Sequence, residues 1–421
     1  MNHCPAGWES ERLKDRVRFA YGDSLAAEDR NDGEFKVFGS NGIVGTHDRA
    51  ITNGRTIIIG RKGSFGKIAW CDEPCFPIDT TYFVDSTQSK EDLRWLFYAL
   101  ESLHLDGLNF DSAVPGLSRE VAYSMRLVFP RTPEQQRIAA YLDASCAAID
   151  AAVSAKRRQI EALDGVRKDI IQKAVTRGLE KHPALKKTGN VWMNELPVTW
   201  ELVSLKRVSE IQGGLTLGKV YEGPLIERPY LRVANVQDGH LNLQDVTIIE
   251  VPEEVAHRVE LRPGDVLMTE GGDLDKLGRG TVWSGEIQDC LHQNHIFAIR
   301  CFTHKLMPAF LAYLTASRYG RDYFEATGKR TTNLASTNST KVGLLPIPRP
   351  SIEEQRAICQ YLDEKLYHVA QIVNGIESQI ATLNSYRKSL IHECVTGQRR
   401  ITEADLVRVG RGKSTLTRPS R

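Results

Sequence analysis

PRTPEQQRIAAYLD, residues 130–143, returns 220 positions later as PSIEEQRAICQYLD, residues 350–363. The shared motif is P-x3-E-Q-x2-I-x2-Y-L-D, carried by Pro130, Glu134, Gln135, Ile138, Tyr141, Leu142 and Asp143 and again by Pro350, Glu354, Gln355, Ile358, Tyr361, Leu362 and Asp363. Without a gap the match runs on through Val153/Val373, Gln159-Ile160/Gln379-Ile380, Leu163/Leu383, Arg167-Lys168/Arg387-Lys388, Ile171/Ile391 and Val175-Thr176/Val395-Thr396. Over 47 positions that makes 16 identities. Self-similarity of this length marks a duplicated architecture.

A second repeat lies upstream of each copy. Pro5-x-x-Trp8-Glu9-x3-Leu13-Lys14 matches Pro197-x-x-Trp200-Glu201-x3-Leu205-Lys206 at an offset of 192. Between start motif and long repeat stand two dissimilar blocks, about 9–129 and 201–349. Because the offsets are 192 and 220, the second block is 28 residues longer.

The long repeats read as helices. No proline interrupts them, and apolar residues recur at alternating steps of four and three. The first seam is Leu142, Cys146, Ile149, Val153, Lys156, Ile160, Leu163, Arg167, Ile170 and Ala174. The second is Leu362, Leu366, Val369, Val373, Ile376, Ile380, Leu383, Arg387, Leu390 and Cys394. A 3.5-residue period favours a left-handed coiled coil, with helix stops near Gly178 and Gly397; the helices could pair with those of other chains, but pairing within the chain is simpler, because the two seams match in length and period. About 44 residues at 1.5 Å give roughly 66 Å. Arg167 and Arg387 share one seam position; long side chains reaching for solvent are favoured over a register-fixing role.

The intervening blocks read as α/β. The first has a basic glycine-rich stretch, Asn53 to Lys67, and a helix around Glu91–Leu103. The second has strands around Tyr230–Val236 and Val246–Val251, a basic loop Lys276-Leu277-Gly278-Arg279-Gly280, and a helix near Pro308–Ser317. The same fold twice is expected. The division predicted is 1–130 variable block 1, 131–178 long helix 1, 179–199 linker, 200–349 variable block 2, 350–398 long helix 2, and 399–421 a basic disordered tail.

Composition excludes several classes. With 421 residues, 41% hydrophobic and 26% charged, the chain has the make-up of a multidomain globular protein. No stretch is read as approaching the roughly 20 apolar residues of a membrane span, and MNHCPAGWESERLKD lacks the apolar core of a signal peptide. A cytoplasmic protein is expected. Its eight cysteines include no CxxC pair and read as small buried hydrophobes. Cys290, His292 and His295 lack a second ligand pair, so no metal site is expected. Net charge is +2; the tail from Arg399 carries +5, leaving −3 for residues 1–398.

Catalytic signatures are missing. Gly60 to Lys67 is spaced wrongly for a phosphate loop, and Ile68 stands where Ser or Thr must hold magnesium. There is no strand-anchored G-x-G-x-x-G, no H-E-x-x-H, no G-x-S-x-G and no Asn/Asp-Pro-Pro-aromatic motif. No catalytic residue is therefore assigned.

The twice-used P-x3-E-Q-x2-I-x2-Y-L-D helix start, each time after a block opening on Trp-Glu-x3-Leu, resembles the Type I restriction–modification specificity subunit, from about Pro5 to Gln398. The resemblance implies two α/β target-recognition domains in a pseudo-twofold tandem duplication, each reading half of a bipartite double-stranded DNA site, separated by two long helices forming an antiparallel coiled coil. It also implies two modification (methyltransferase) subunits as partners, and restriction (endonuclease) subunits in systems that have them. S-adenosylmethionine, ATP and magnesium would belong to those partners, with no cofactor in this chain.

Candidate DNA-contacting residues come from the basic loops. In the first block they are Arg61, Lys62, Ser64, Lys67, Ser118 and Arg119, the last two in Gly116-Leu117-Ser118-Arg119. In the second they are Lys276, Arg279, Lys329, Arg330 and Asn333. Arg and Lys suit phosphates or guanine edges, and Asn suits adenine; the bland alternative is solvated loop charge. Two rival readings remain: a specificity module of another, self-contained methyltransferase, for which the chain has no room for a cofactor domain, and a coiled-coil scaffold without DNA, which a salt-dependent binding assay separates.

Overall fold

The computed structural model describes residues 4–107, 116–272, 277, 278, 280–330 and 335–416. Two helices dominate it, Thr132–Arg177 of 46 residues and Ile352–Val395 of 44. The chain divides into two compact units that do not follow the linear order: unit 1 is Met1–Arg157 with Ile376–Arg421, and unit 2 is Arg158–Gly375. Each long helix therefore begins in one unit and ends in the other.

Within each unit the start of one helix packs against the end of the other, so the two run antiparallel. In unit 1, Ile138, Leu142, Cys146, Ile149 and Val153 share a core with Leu390, Ile391, Cys394 and Val395, and Ile380 and Leu383 pack against it. In unit 2, Ile171, Ala174 and Val175 share a core with Ile358, Cys359 and Leu362, flanked by Ile170 and Leu366. Between Asp363 and Ser389 the non-exposed residues are 366, 369, 373, 376, 380, 383 and 387, which are the seam positions read from the sequence. Their partial exposure is what a two-helix seam leaves, since each helix is covered on one side.

Arg387 does not reach for solvent. It is 24% exposed, 2.8 Å from Glu101 and 3.9 Å from Asp150. Arg167, at the equivalent position, is 40% exposed and pairs weakly with Asp164 on its own helix at 3.4 Å.

Both recognition blocks use one strand plan. Unit 1 has a four-stranded antiparallel sheet in the order Ala20–Tyr21, Thr81–Val84, Thr56–Gly60, Ile68–Cys71; unit 2 repeats it with Ser209–Gly213, Ile296–Cys301, Val266–Thr269, Gly280–Val282. Beside it, Phe35–Gly39 pairs antiparallel with Gly42–His47 and parallel with Phe76–Pro77. Ile226–Leu231 does the same with Thr247–Val251 and Leu291–His292. The ends of each block close on each other: Glu9–Arg12 pairs with Arg126–Phe129, and Glu201–Ser204 with Pro346–Arg349.

The tail differs from its expected disorder. Glu403–Leu416 is helical, Ile401 is buried, and Leu406 and Val409 pack on the unit 1 core. Arg400 reaches Glu134 at 2.8 Å and lies over the Trp8 ring. The apolar face of Ile401, Leu406 and Val409 outweighs the basic composition that suggested a solvated segment.

One 18-residue window inside Thr132–Arg177 has a mean hydropathy of 1.3, long and apolar enough by composition alone to cross a membrane. Of that window 39% is buried inside the protein, where Ile138, Leu142, Cys146, Ile149 and Val153 belong to the unit 1 core.

Candidate DNA interface and the joints that carry it

The repeat motif builds a joint between each recognition block and the long helix that follows it. Gln135 is buried; its Oε1 accepts from Asp92 N at 2.7 Å, and its Nε2 donates to Pro130 O at 2.9 Å. Asp92 is the N-cap of helix Leu93–Glu101. Gln355 repeats this in unit 2, accepting from Met307 N at 2.8 Å and donating to Pro350 O at 3.1 Å and Lys305 O at 3.0 Å, and Met307 is the N-cap of Pro308–Ala316. One amide thus satisfies an orphan helix N–H and fixes the chain's entry into the long helix.

Asp143 accepts from Tyr98 Oη at 2.7 Å and from Arg94 Nε at 2.6 Å, and Asp363 accepts from Tyr313 Oη. Burial, reinforced by the neighbouring carboxylate, pushes both phenols up, so they stay protonated donors. Glu134 accepts from the Trp8 indole at 3.1 Å, which ties the start motif to the same joint. The motif residues are therefore structural fasteners.

In unit 1 the candidate contacts gather around a residue that sequence reading missed, Tyr21. The Arg61 guanidinium lies 5.2 Å from the Tyr21 ring centre, and Arg119 lies 5.0 Å from it. Tyr21 is 50% exposed. Arg61 is held by Nε and Nη2 donating to Asp79 O at 3.1 and 2.8 Å. Segment 116–119 is brought alongside by a Lys62–Gly116 bridge and by Leu117 N donating to Arg61 O at 2.9 Å. Tyr82, its hydroxyl pushed up to about 12 by burial, donates to Leu117 O at 3.3 Å beneath. Lys62 is exposed. Ser118 caps helix Arg119–Ser124 by accepting from Val121 N, so its hydroxyl has a local job. Lys67 is exposed but tethered to Asn41 Oδ1 at 2.6 Å, and Ser64 is half-buried. Arg61, Lys62 and Arg119 thus come together, with Lys67 along the same loop. An aromatic tyrosine facing two arginines carries no sequence signature, because residues 21, 61 and 119 meet only through sheet and bridge.

The glycine loops are close-packed. A Cβ on Gly66, at φ +74°, would lie 2.2 Å from Asp106 N; one on Gly278, at φ +71°, would lie 2.2 Å from the Phe324 ring. No side chain larger than hydrogen fits either place. In unit 2, Lys329 is exposed on strand Lys329–Arg330, which pairs with Ala335–Ser336 and through it with Gly271–Gly272. The Arg330 side chain, Lys276, Arg279 and Asn333 lie outside the described residues.

Among the described residues no three His, Cys, Asp or Glu side chains gather. His292 is buried; its Nδ1 lies 3.0 Å from Ile296 O, which an Nδ1–H tautomer satisfies. Burial lowers its pKa from 6.5 to about 4. Between those values the unfolded chain binds a proton that the folded one does not, so stability falls as pH drops through that window. The predicted loss is about 3 kcal/mol between pH 7 and pH 4 at the usual conversion per pKa step. Urea unfolding should show it, with a smaller pH response in His292→Gln; equal responses would remove His292 as the cause. All eight cysteines are free, Cys4 half-buried and the others buried.

Residues 5–162 match the family described as the Type I restriction modification DNA specificity domain. A provisionally named type I restriction enzyme MjaX specificity subunit of Methanocaldococcus jannaschii is 27% identical over 206 residues, covering 48% of this chain and 47% of that relative, about half its length. The MjaVIII specificity subunit of the same organism is 23% identical over 423 aligned positions, 94% of each chain. The EcoBI specificity subunit of Escherichia coli is 23% identical over 359, covering 81% and 73%. A solved chain from a study of complex assembly and conformational transition in the type I R-M system superposes with a TM-score of 0.61 at 16% identity, over 93% of this chain and 98% of that one, and so shares its fold. With start motif, variable block and long helix all present twice, the chain is similar along most of its length to Type I restriction enzyme specificity subunits, and its residues 5–162 match that family's DNA specificity domain.

Proposed function

We propose that this chain is the DNA-reading, non-catalytic subunit of a Type I restriction–modification complex in the cytoplasm, with each unit reading one half of a bipartite double-stranded site. The observation that carries the reading is the repeated strand plan. The same four-stranded sheet stands once in each unit, and the sequences of the loops it carries differ between units. Equivalent scaffolds with unlike loops suit two half-sites of unlike sequence. Two copies of the same helix joint suit two copies of one partner, taken as methyltransferase subunits that supply S-adenosylmethionine chemistry. Restriction subunits, with ATP and magnesium, would join through that assembly.

The purified chain is expected to show no methyltransferase, nuclease or ATPase turnover. Mixed with its modification subunit, it should confer methylation at one bipartite sequence, with affinity falling steeply with salt as phosphate contacts require. Methylation mapping with and without this chain checks both statements. Turnover by the chain alone, or methylation at the same sites without it, would sink the proposal.

A further inference from the structure

The two units can be aligned through their hydrogen bonds rather than their residues. In unit 1, Arg61 N donates to Thr80 O at 2.9 Å, and Leu117 N donates to Arg61 O at 2.9 Å. In unit 2, Glu270 N donates to His295 O at 2.8 Å, and Thr337 N donates to Glu270 O at 2.8 Å. The strands agree, since Ile57 pairs with Val84 as Val266 pairs with Ile299. Arg61 and Glu270 therefore occupy one place in the repeated fold, as do Thr80 and His295. By the same register Tyr21, opposite Tyr82, corresponds to Gly213, opposite Phe297. Arg119 and Ser339 each open the helix that follows the bridging segment, after the N-caps Ser118 and Asn338.

The chemistry at this place is inverted. Unit 1 presents two guanidiniums around an exposed phenol, a set made mainly of N–H donors. Unit 2 presents a carboxylate, 28% exposed, whose Oε2 lies 2.6 Å from the Nδ1 of a 54% exposed His295. Glycine replaces the phenol and serine the second arginine, so the carboxylate dominates. A carboxylate accepts and does not donate when ionised. Placed against DNA it repels phosphates, so it is tolerable only where a base donor meets it.

We propose that Arg61 and Glu270 are equivalent specificity-determining residues of opposite hydrogen-bond polarity: Arg61, with Arg119, selects an acceptor-rich guanine edge in one half-site, and Glu270, oriented by His295, selects an exocyclic amino group, that of cytosine or adenine, in the other. Guanine offers O6 and N7 acceptors in the major groove; cytosine offers its N4 amino donor and adenine its N6 amino donor. The Tyr21 ring at 5.2 Å and the bonds to Asp79 O orient the Arg61 fork, and the His295 contact limits the rotamers of Glu270. This rests on the DNA-reading role proposed above.

The test uses the full chain with its modification subunit, acting on a DNA library with both half-sites randomised, read by methylation. Wild type is measured first; if it methylates without sequence preference, the DNA-reading role itself fails. Given a wild-type bipartite site, Glu270→Gln should relax one position in one half-site, normally cytosine or adenine, by roughly 5- to 150-fold, the discrimination a good base contact supplies. Arg61→Gln should relax a guanine position in the other half-site by a similar factor. His295→Gln should weaken the same position as Glu270→Gln and no other. The inference is overturned if Glu270→Gln leaves every base preference intact, weakens all sequences equally, or acts at a position that is neither cytosine nor adenine. It is overturned equally if both substitutions act on the same half-site. Thermal unfolding of each variant is measured alongside, and a variant that keeps its midpoint yet shows none of these shifts counts against the proposal.

Discussion

Exchange of residues 9–129 for the corresponding block of another specificity subunit should change one half of the recognised site and leave the other unaltered. The block is a natural cassette, because Glu9–Arg12 and Arg126–Phe129 form one antiparallel ladder, and cutting there severs few bonds within the block. Its outward attachments are local: Tyr98 and Arg94 to Asp143, Asp92 to Gln135, and Glu101 to Arg387. A donor block that keeps a tyrosine and an N-cap at those places should dock. Each mismatched base pair costs about 1–3 kcal/mol, so three altered positions should lower methylation of the original site by roughly a hundredfold or more. Methylation mapping of the hybrid checks this. If both halves changed together, unit 1 and unit 2 could not be independent readers.

Ile380→Asp combined with Leu383→Asp should cause a large loss of stability through the seam of the long helices. Both side chains are half-buried against the unit 1 core, where helix Thr132–Arg177 contributes Ile149 and Val153. Replacing each removes apolar burial and brings a carboxylate against an apolar surface, roughly 1.5–3 kcal/mol per site with partial solvent access. Together, at about 3–6 kcal/mol, this reaches the low end of the stability of an ordinary domain, about 5–15 kcal/mol. Ile372→Asp, on the same helix but 52% exposed, is the control for helix propensity and should shift the urea midpoint little. Binding of the intact bipartite site should fall with the double variant. Equal midpoints for the double variant and the control would show that the seam is misassigned.

Much of the fold was legible because it is periodic. A four-three apolar step over forty residues marks a long helix with one apolar seam, and the duplication showed that whatever the first half did, the second would repeat. The helices near Glu91–Leu103 and Pro308–Ser317 were legible for the same reason and are found at Leu93–Glu101 and Pro308–Ala316. Identity between copies also picked out Gln135, Asp143, Gln355 and Asp363, though not their purpose. Their partners, Asp92, Tyr98, Met307 and Tyr313, sit about 40–50 residues upstream in blocks that do not resemble each other.

The candidate interface was legible only in part. Lysines and arginines in glycine-rich loops announce themselves by composition, and Arg61, Lys62 and Arg119 do lie together. Tyr21 was invisible because a lone tyrosine in the two-residue strand Ala20–Tyr21 has no pattern. Glu270 was passed over because an acidic residue is not what a search for DNA contacts looks for.

What the sequence determined by itself is whatever depends on spacing along one element: the duplication, the two long helices, their seam, and the family they resemble. Tertiary structure alone decided which residues far apart in the chain share a place. It divided the chain into units that each take half of both helices, folded the basic tail onto unit 1 through Ile401, Leu406 and Val409, and set Glu270 where its counterpart is Arg61. The physical reason is common to all three. Helix periodicity is written in near neighbours, whereas burial and backbone hydrogen bonding between distant segments depend on loop closures that no local pattern encodes.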